Sequence, residues 1–335
     1  KQEFSIKTYN KVLLEKRKMM ALNLNNILIL APLAGYTDLP FRSVVKEFGA
    51  DLTVSEMISS HALAFKNKRT EKMLQKAPNE SPYSVQVSGS TPQIMVQAIE
   101  RLNLEKDIDI IDFNCGCPAP KVSHHGNGSG LLKNLPHLVA MLKLIREYSK
   151  TPYTSVKVRI GFDKKIPLEI AHALNDAPVD FVVVHGRTKI DGYKKECIDY
   201  DSIALMKKIL NKPLVANGEI DCPQKAKEVL QHTGADGLMI GRAALAMPWI
   251  FAMIKECLHM DFVQEVGLRY QIALKHLEKM VEFYGQRGVI IYRKNLHHYS
   301  KGLEGASEFR DKVNRVDNQE EMCCLIEDFF KNFLR

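Results

Sequence analysis

The chain has 335 residues, of which 45% are hydrophobic and 26% charged, an ordinary globular composition with room for one large domain and a smaller one. Lys and Arg number 47 against 39 Asp and Glu, a net charge of +8 that suits a polyanionic partner without establishing one. The seven cysteines are odd in number and irregularly spaced, and no second pair accompanies Cys115 and Cys117 at zinc-site spacing. These features argue against a disulfide framework and a structural metal, and point to a reducing cytoplasm.

Residues 1–19 carry six basic and two acidic residues and no long apolar core, and Met20 is a plausible natural start. This extension is assigned no role. From residue 27 onward, short β-rich apolar runs alternate with amphipathic stretches of helical length, as a parallel α/β fold requires. The runs at 27–31, 52–55, 83–87, 108–113, 154–158, 181–184, 214–216 and 237–240 read as eight strands. Helices are expected between them, for example over 92–102, 135–148, 166–174, 202–210 and 223–231. Pro92 and Pro223 stand where a first helical turn tolerates proline. Eight such units favour a closed (β/α)8 barrel over an open doubly wound sheet, with a barrel domain over 20–250. The most membrane-like stretch, 237–254, is interrupted by Arg242 and Pro248 and reads as a strand and a buried helix start. Beyond about residue 251 the strand signal stops, and spacings such as Leu274, Leu277, Val281 and Tyr284 predict an α-helical bundle domain over 251–335.

In such a barrel, chemistry sits at the carboxyl ends of the strands. A polar or glycine-bearing group ends every predicted strand: Pro32-Leu33-Ala34-Gly35, Glu56, Gln86, Asn114 with Cys117, Lys157 with Arg159, His185 with Arg187, Asn217-Gly218-Glu219, and Gly241-Arg242. The last two groups offer glycines for close backbone approach and a guanidinium that can grip phosphate, where barrels often bind one. Lys157, ending a buried strand, must be paired or functional: a Schiff-base amine, or a cation at the edge of a reduced flavin. The Gly116–Pro118 turn aims Cys117 at the mouth as a nucleophile or general acid, while Cys115 should point elsewhere.

With those residues in view, the chain resembles the tRNA-dihydrouridine synthase family, closest to its bacterial B-type branch. The matching pieces include Ala31-Pro32-Leu33-Ala34-Gly35, Ser55-Glu56-Met57, Asp112-Phe113-Asn114-Cys115-Gly116-Cys117-Pro118, Val156-Lys157-Val158-Arg159, His185-Gly186-Arg187-Thr188, Asn217-Gly218-Glu219 and Ile240-Gly241-Arg242. They run in order from about Ile27 to Trp249. The Asn-x-Gly-Cys-Pro and His-Gly-Arg-Thr pieces are the most particular to the family. Leu33 stands where methionine is usual, and Gly130 where alanine is frequent. The resemblance implies FMN held by Pro32, Leu33, Ala34 and Gln86, with Lys157 at its electron-rich edge and His185 near the ribityl–phosphate side. Asn217, Gly218, Glu219, Gly241 and Arg242 would take the phosphate. It implies Cys117 as the proton donor to a uracil C5–C6 double bond, Asn114 and Arg187 at the target nucleotide, and NADPH as reductant.

The tail adds a candidate grip on tRNA. Residues 284–302 contain Arg287, Arg293, Lys294 and Lys301 with His297, His298, Tyr292 and Tyr299, and no acidic residue, although 251–335 as a whole balances 13 basic against 13 acidic residues. Clustered charge with interleaved aromatics suits phosphate contact and base stacking. Arg293 and Lys294 are therefore expected at the RNA, and their spacing resembles the B-type tail, which favours position 17 of the D-loop. Other readings stay open: a small-molecule flavin oxidoreductase of the dihydroorotate or dihydropyrimidine type, a colourless Schiff-base aldolase, or a non-enzymatic RNA-binding protein. No membrane and no obligate protein partner is inferred.

Overall fold

The computed structural model describes residues 22–65, 67–256 and 258–334. The expected extension at 1–19 lies outside the described residues. Eight parallel strands close a barrel: β1 (Ile27–Leu30), β2 (Leu52–Val54), β3 (Tyr83–Ser88), β4 (Ile110–Cys115), β5 (Tyr153–Gly161), β6 (Phe181–Thr188), β7 (Leu214–Asn217) and β8 (Gly237–Ile240). Each pairs with the next in sequence, and β1 closes the ring against β8 through Ile27↔Gly237 to Leu30↔Ile240. A two-residue strand, Ile58–Ser59, prolongs β2 along β3. Between the pairs Val54↔Ser84 and Ile58↔Val87, four steps of one chain run opposite three of the other, a bulge that lifts Glu56 out of the ladder.

Strand alternation sorts the residues into two sets. Ile27, Ile29, Leu52, Val54, Ile110, Phe181, Val183, Val215 and Met239 form one buried cluster, the barrel interior. The neighbouring positions, among them Leu28, Leu30, Val85, Ile111, Val156, Val182 and Leu238, join the larger cluster between barrel and helices. Counting in twos up the interior set leads from Ile110 to Asp112 and Asn114, from Val183 to His185 and Arg187, and from Val215 to Asn217. The same inward tier holds Lys157, whose ammonium reaches Asn217 across the interior at 2.9 Å although β5 and β7 are not neighbours. Cys115 has the opposite parity and is buried among the barrel helices, as its sequence position suggested.

The helix Leu39–Glu47 follows β1, capped by Asp38, whose carboxylate accepts from the Phe41 N–H. Beneath it the Arg42 guanidinium donates to the Glu80 carboxylate at 2.7 Å, both side chains fully buried. Beyond Trp249 come Ile250–Ile254, Phe262–Tyr284, Arg287–Tyr299, Ala306–Val313 and Gln319–Lys331, packed round a second cluster that includes Leu277, Tyr292, Leu296, Tyr299 and Phe330. Helices Phe262–Tyr284 and Arg287–Tyr299 touch so closely at Gly288 that an added Cβ would lie 2.2 Å from the Met280 carbonyl oxygen. The tail docks on the β1–β2 side of the barrel: Lys275 pairs with Glu47 at 2.5 Å, Lys279 donates to Ser43, and His276 packs on Phe41. Among the described residues, no helix is long and apolar enough to cross a membrane.

Candidate active site

The inward polar tier at the top of the barrel is one connected network. Asp112 accepts from Gln86 Nε2 at 2.6 Å and from Ser155 Oγ at 2.7 Å, and the Asn114 amide donates to Gln86 Oε1 at 2.7 Å. Burial pushes the Asp112 carboxyl up from its ordinary value, against those two hydrogen bonds. Gln86 is therefore fixed at both ends of its amide, with its orientation set by β4.

Asn114 also organises the cysteine turn. Its Oδ1 accepts from the backbone N–H of Gly116 at 3.3 Å and of Cys117 at 3.0 Å. Arg159 Nε donates to the Gly116 carbonyl at 2.8 Å, and Ser129 Oγ donates to the Cys117 carbonyl at 2.8 Å. Gly128, at φ +54°, presses on the same turn; an added Cβ there would meet Cys117 at 3.1 Å. Cys117 is half-buried, held by its backbone alone, and within the electrostatic reach of Lys157 and Arg159. One amide hydrogen of Asn114 remains for a ligand.

Lys157 is 9% exposed, and among the described residues its hydrogen-bond partner is Asn217 Oδ1. Asn217 in turn donates to the Met239 carbonyl at 2.7 Å, which fixes its amide. Burial, with Arg159 nearby, pulls the ammonium down to about 7. A lysine so placed favours any anion that enters the mouth. His185 is held neutral by burial and by Lys157, Arg159 and Arg187 around it, well below its ordinary value.

Arg187 is fully buried and donates to the Lys194 carbonyl at 2.7 Å and to Glu219 Oε1 at 2.7 Å; its Nη1 lies 3.2 Å from His185 Nε2. The same Glu219 oxygen accepts from Arg242. Glu219 adopts φ +49°, unusual for a residue with a side chain, and follows Gly218, where an added Cβ would sit 2.4 Å from Ile198 Cδ1. One Glu219 oxygen thus joins the Arg187 and Arg242 guanidiniums. Gly241 closes this end toward β1: its missing Cβ would lie 3.8 Å from Leu33. Pro32, Leu33 and Ala34 form the neighbouring lip, tied into a turn by Leu33 N–H to Thr37 Oγ1 at 2.9 Å.

All twelve residues expected at the cofactor or the reacting bond thus surround one end of the barrel. The two expected tail contacts differ. Lys294 reaches the β1 lip, where it donates to the Gly35 carbonyl. Arg293 donates twice to the Val316 carbonyl, at 3.0 and 2.7 Å, and so ties its helix to the connection between helices Ala306–Val313 and Gln319–Lys331. The expected stacking surface is corrected outright. Tyr292 and Tyr299 are fully buried, bonded to the Ala273 carbonyl and to His276, and cannot meet a base. Sequence reasoning gave no role to Asp112, Arg159 or Tyr193. Tyr193 lies 5.5 Å from both the Arg159 and Arg242 guanidiniums and is 58% exposed at the rim. The two-residue spacing of Asp112 from Asn114 and of Arg159 from Lys157 was the available signal.

The fold is shared with a histamine dehydrogenase from Rhizobium sp. 4-9 at a TM-score of 0.55 and 11% identity, over 92% of this chain and 62% of that one. It is also shared with the crystal structure of TcOYE with pHBA at a TM-score of 0.52 and 8% identity, over 69% of this chain and 89% of that one. A Helicobacter pylori protein named "Probable tRNA-dihydrouridine synthase" is 60% identical over 303 residues, 90% of this chain and 92% of its own length. The tRNA-dihydrouridine synthase B of Pseudomonas syringae pv. tomato is 40% identical over 313 residues, 91% of this chain and 92% of its own. The family model described as dihydrouridine synthase (Dus) matches residues 29–334, through both the barrel with its polar tier and the helical tail, and the chain belongs to that family.

Proposed function

We propose that this protein is a tRNA-dihydrouridine synthase that holds FMN across the barrel mouth and reduces the C5–C6 double bond of a D-loop uridine with NADPH as reductant. The observation that carries this reading is the meeting, at one barrel end, of a buried ammonium at Lys157 and a rigid turn presenting Cys117.

The residues fit a flat ring with a phosphate tail. Lys157 is a buried cation with spare donors, suited to the edge of a ring that gains negative charge on reduction. Gln86, with Asn114 beside it, offers amide groups at the same level, and Pro32, Leu33 and Ala34 supply an apolar wall. Neutral His185, Asn217, the Gly218 and Gly241 backbones, and Arg242 held by Glu219 provide the phosphate end. Held by these residues and reduced by NADPH, FMN would supply the hydride that the uracil C6 needs. Cys117 gives its thiol proton to C5 from the other face and regains one from solvent. Asn114 holds the cysteine turn and offers its remaining amide hydrogen to the base. Arg187, through Glu219, keeps Arg242 in place and sets the nucleotide side of the cleft. Lys157 and Asn114 are buried within the barrel end, so a base reaches them only when it leaves the stack, and the tRNA presents an everted uridine. Arg293 and Lys294 lie on the tail helix that flanks this entrance. The coenzyme and the RNA both place the reaction in the cytoplasm.

Cys117→Ala tests the assignment. The purified variant is expected to be yellow and to oxidise NADPH, but to form no dihydrouridine in tRNA from cells lacking this protein. Full tRNA reduction by the variant would remove Cys117 as the acid. A colourless wild-type protein trapped by borohydride would favour a Schiff base at Lys157 instead.

A further inference from the structure

The lip that follows β1 is held at a single residue by two distant parts of the chain. Gly35 is exposed and sits at φ +81°, a conformation that L side chains rarely adopt. Its N–H donates to the Glu56 carboxylate, and its carbonyl accepts from the Lys294 ammonium. Glu56 stands in the bulge above β2, which is braced from below: Ser55 Oγ donates to the Glu56 carbonyl at 2.9 Å and accepts from the Gln86 N–H at 3.1 Å. Lys294 comes from the tail helix Arg287–Tyr299, 259 residues further along the chain. One turn later on that helix, the His298 ring meets the edge of Tyr36 at 5.3 Å, and Lys294 itself lies 5.1 Å from the Tyr36 ring centre.

We propose that Glu56 and Lys294 form a two-sided clamp on Gly35, one on each of its flanking peptides, through which the tail helix sets the position of the lip at residues 32–36 against the flavin. The inference rests on the flavin reading above and deepens it: Lys294 is a positioning residue of the cofactor cleft and not a phosphate grip. Its ammonium already has a carbonyl and an aromatic face, and it lies in the field of a barrel carboxylate, Asp38. A lysine kept free for RNA would lack such partners. A glycine fits this position because φ +81° is a conformation that a residue with a side chain adopts only under strain. Neither end of the clamp is needed to close the barrel, whose strands pair without it. The clamp therefore acts on lip position rather than on folding.

The test uses the full-length chain with Lys294→Met, Glu56→Ala, the double variant and Lys294→Arg, each checked for unchanged helical content and melting temperature. Three quantities are read: amide hydrogen exchange over residues 33–37 without flavin, FMN affinity from quenching of free FMN fluorescence, and tRNA affinity against salt. The clamp predicts that either single variant speeds lip exchange and raises the FMN dissociation constant, each by about tenfold, the scale of one charge-assisted hydrogen bond. The double variant should be no worse than the more affected single one, because either loss frees the Gly35 turn. Lys294→Arg should restore both readouts, and the salt slope of tRNA binding should not move. If Lys294→Met instead lowers that slope by about one while lip exchange and FMN affinity stay put, the lysine is an RNA contact and the clamp is overturned. A wild type that takes up no FMN would sink the flavin reading separately. The exchange data would then still decide the clamp, for it or against it.

Discussion

Replacing Lys157 by methionine should stabilise the cofactor-free protein at low pH while destroying its chemistry. The ammonium is drawn down from 10.5 to about 7 by burial first and Arg159 second. A base whose folded pKa is depressed contributes stability that is present above its unfolded value and lost as pH falls toward the folded one. The window here runs from about pH 10.5 down to about pH 7. At about 1.4 kcal/mol per unit, the buried charge costs up to about 5 kcal/mol below pH 7. Methionine removes that cost but leaves Asn217 Oδ1 without its donor, a loss of about 1–3 kcal/mol. The variant should therefore gain about 2–4 kcal/mol at pH 6, and the gain should vanish near pH 9, where the charge costs only about 2 kcal/mol. Urea unfolding of both proteins, stripped of flavin, at half-unit steps from pH 6 to 9.5 measures this directly. A variant that is less stable at pH 6 by the same amount as at pH 9 would show that Lys157 is comfortably charged, and the reasoning about the mouth would fail.

Other perturbations probe the frame. Glu80→Gln leaves the buried Arg42 guanidinium without its counter-charge, and should cost about 3–5 kcal/mol in chemical denaturation; a loss below 1 kcal/mol would mean that water reaches the pair. Gly288→Ala drives a methyl group onto the Met280 carbonyl and should cost about 1–3 kcal/mol, with loosening of the tail helices seen by limited proteolysis. His276, fully buried against Tyr299, is held down to about 3 by burial, Lys279 and Lys294. Its contribution is complete above pH 6.5 and is lost as pH falls toward 3, so wild-type stability should drop by up to about 1.4 kcal/mol per pH unit in that range. His276→Phe should flatten that slope, and an unchanged slope would assign it to carboxylates elsewhere.

Much of this architecture was legible because the signals were local. The expected strand 237–240 and the helices over 92–102 and 135–148 have the same bounds in the structure. Strands β5 and β6 run on to Gly161 and Thr188, past the last apolar residue that marked their ends in the sequence. They do so because Arg159, His185 and Arg187 are strand residues facing inward, and a polar residue at a barrel mouth looks like a loop residue when only hydropathy is read. The tail misled for a different reason. Its basic residues and tyrosines were read as one surface, yet Val289, Tyr292, Leu296 and Tyr299 recur at helical spacing and form the buried stripe of their helix. Arg293 could not have been placed from its neighbours in sequence, because its partner is the carbonyl of Val316 on another turn of the tail.

The bulge above β2 limits how this molecule can vary in length. Below it Val54 is buried and paired with Ser84, and above it buried Ile58 is paired with Val87. Adding or removing one residue at 55–57 would turn Ile58 from the helix-covered face toward the barrel mouth, or move Glu56 off the Gly35 N–H. Insertions and deletions should collect instead in the helical excursion after Ser59 and be almost absent from the three residues before Ile58.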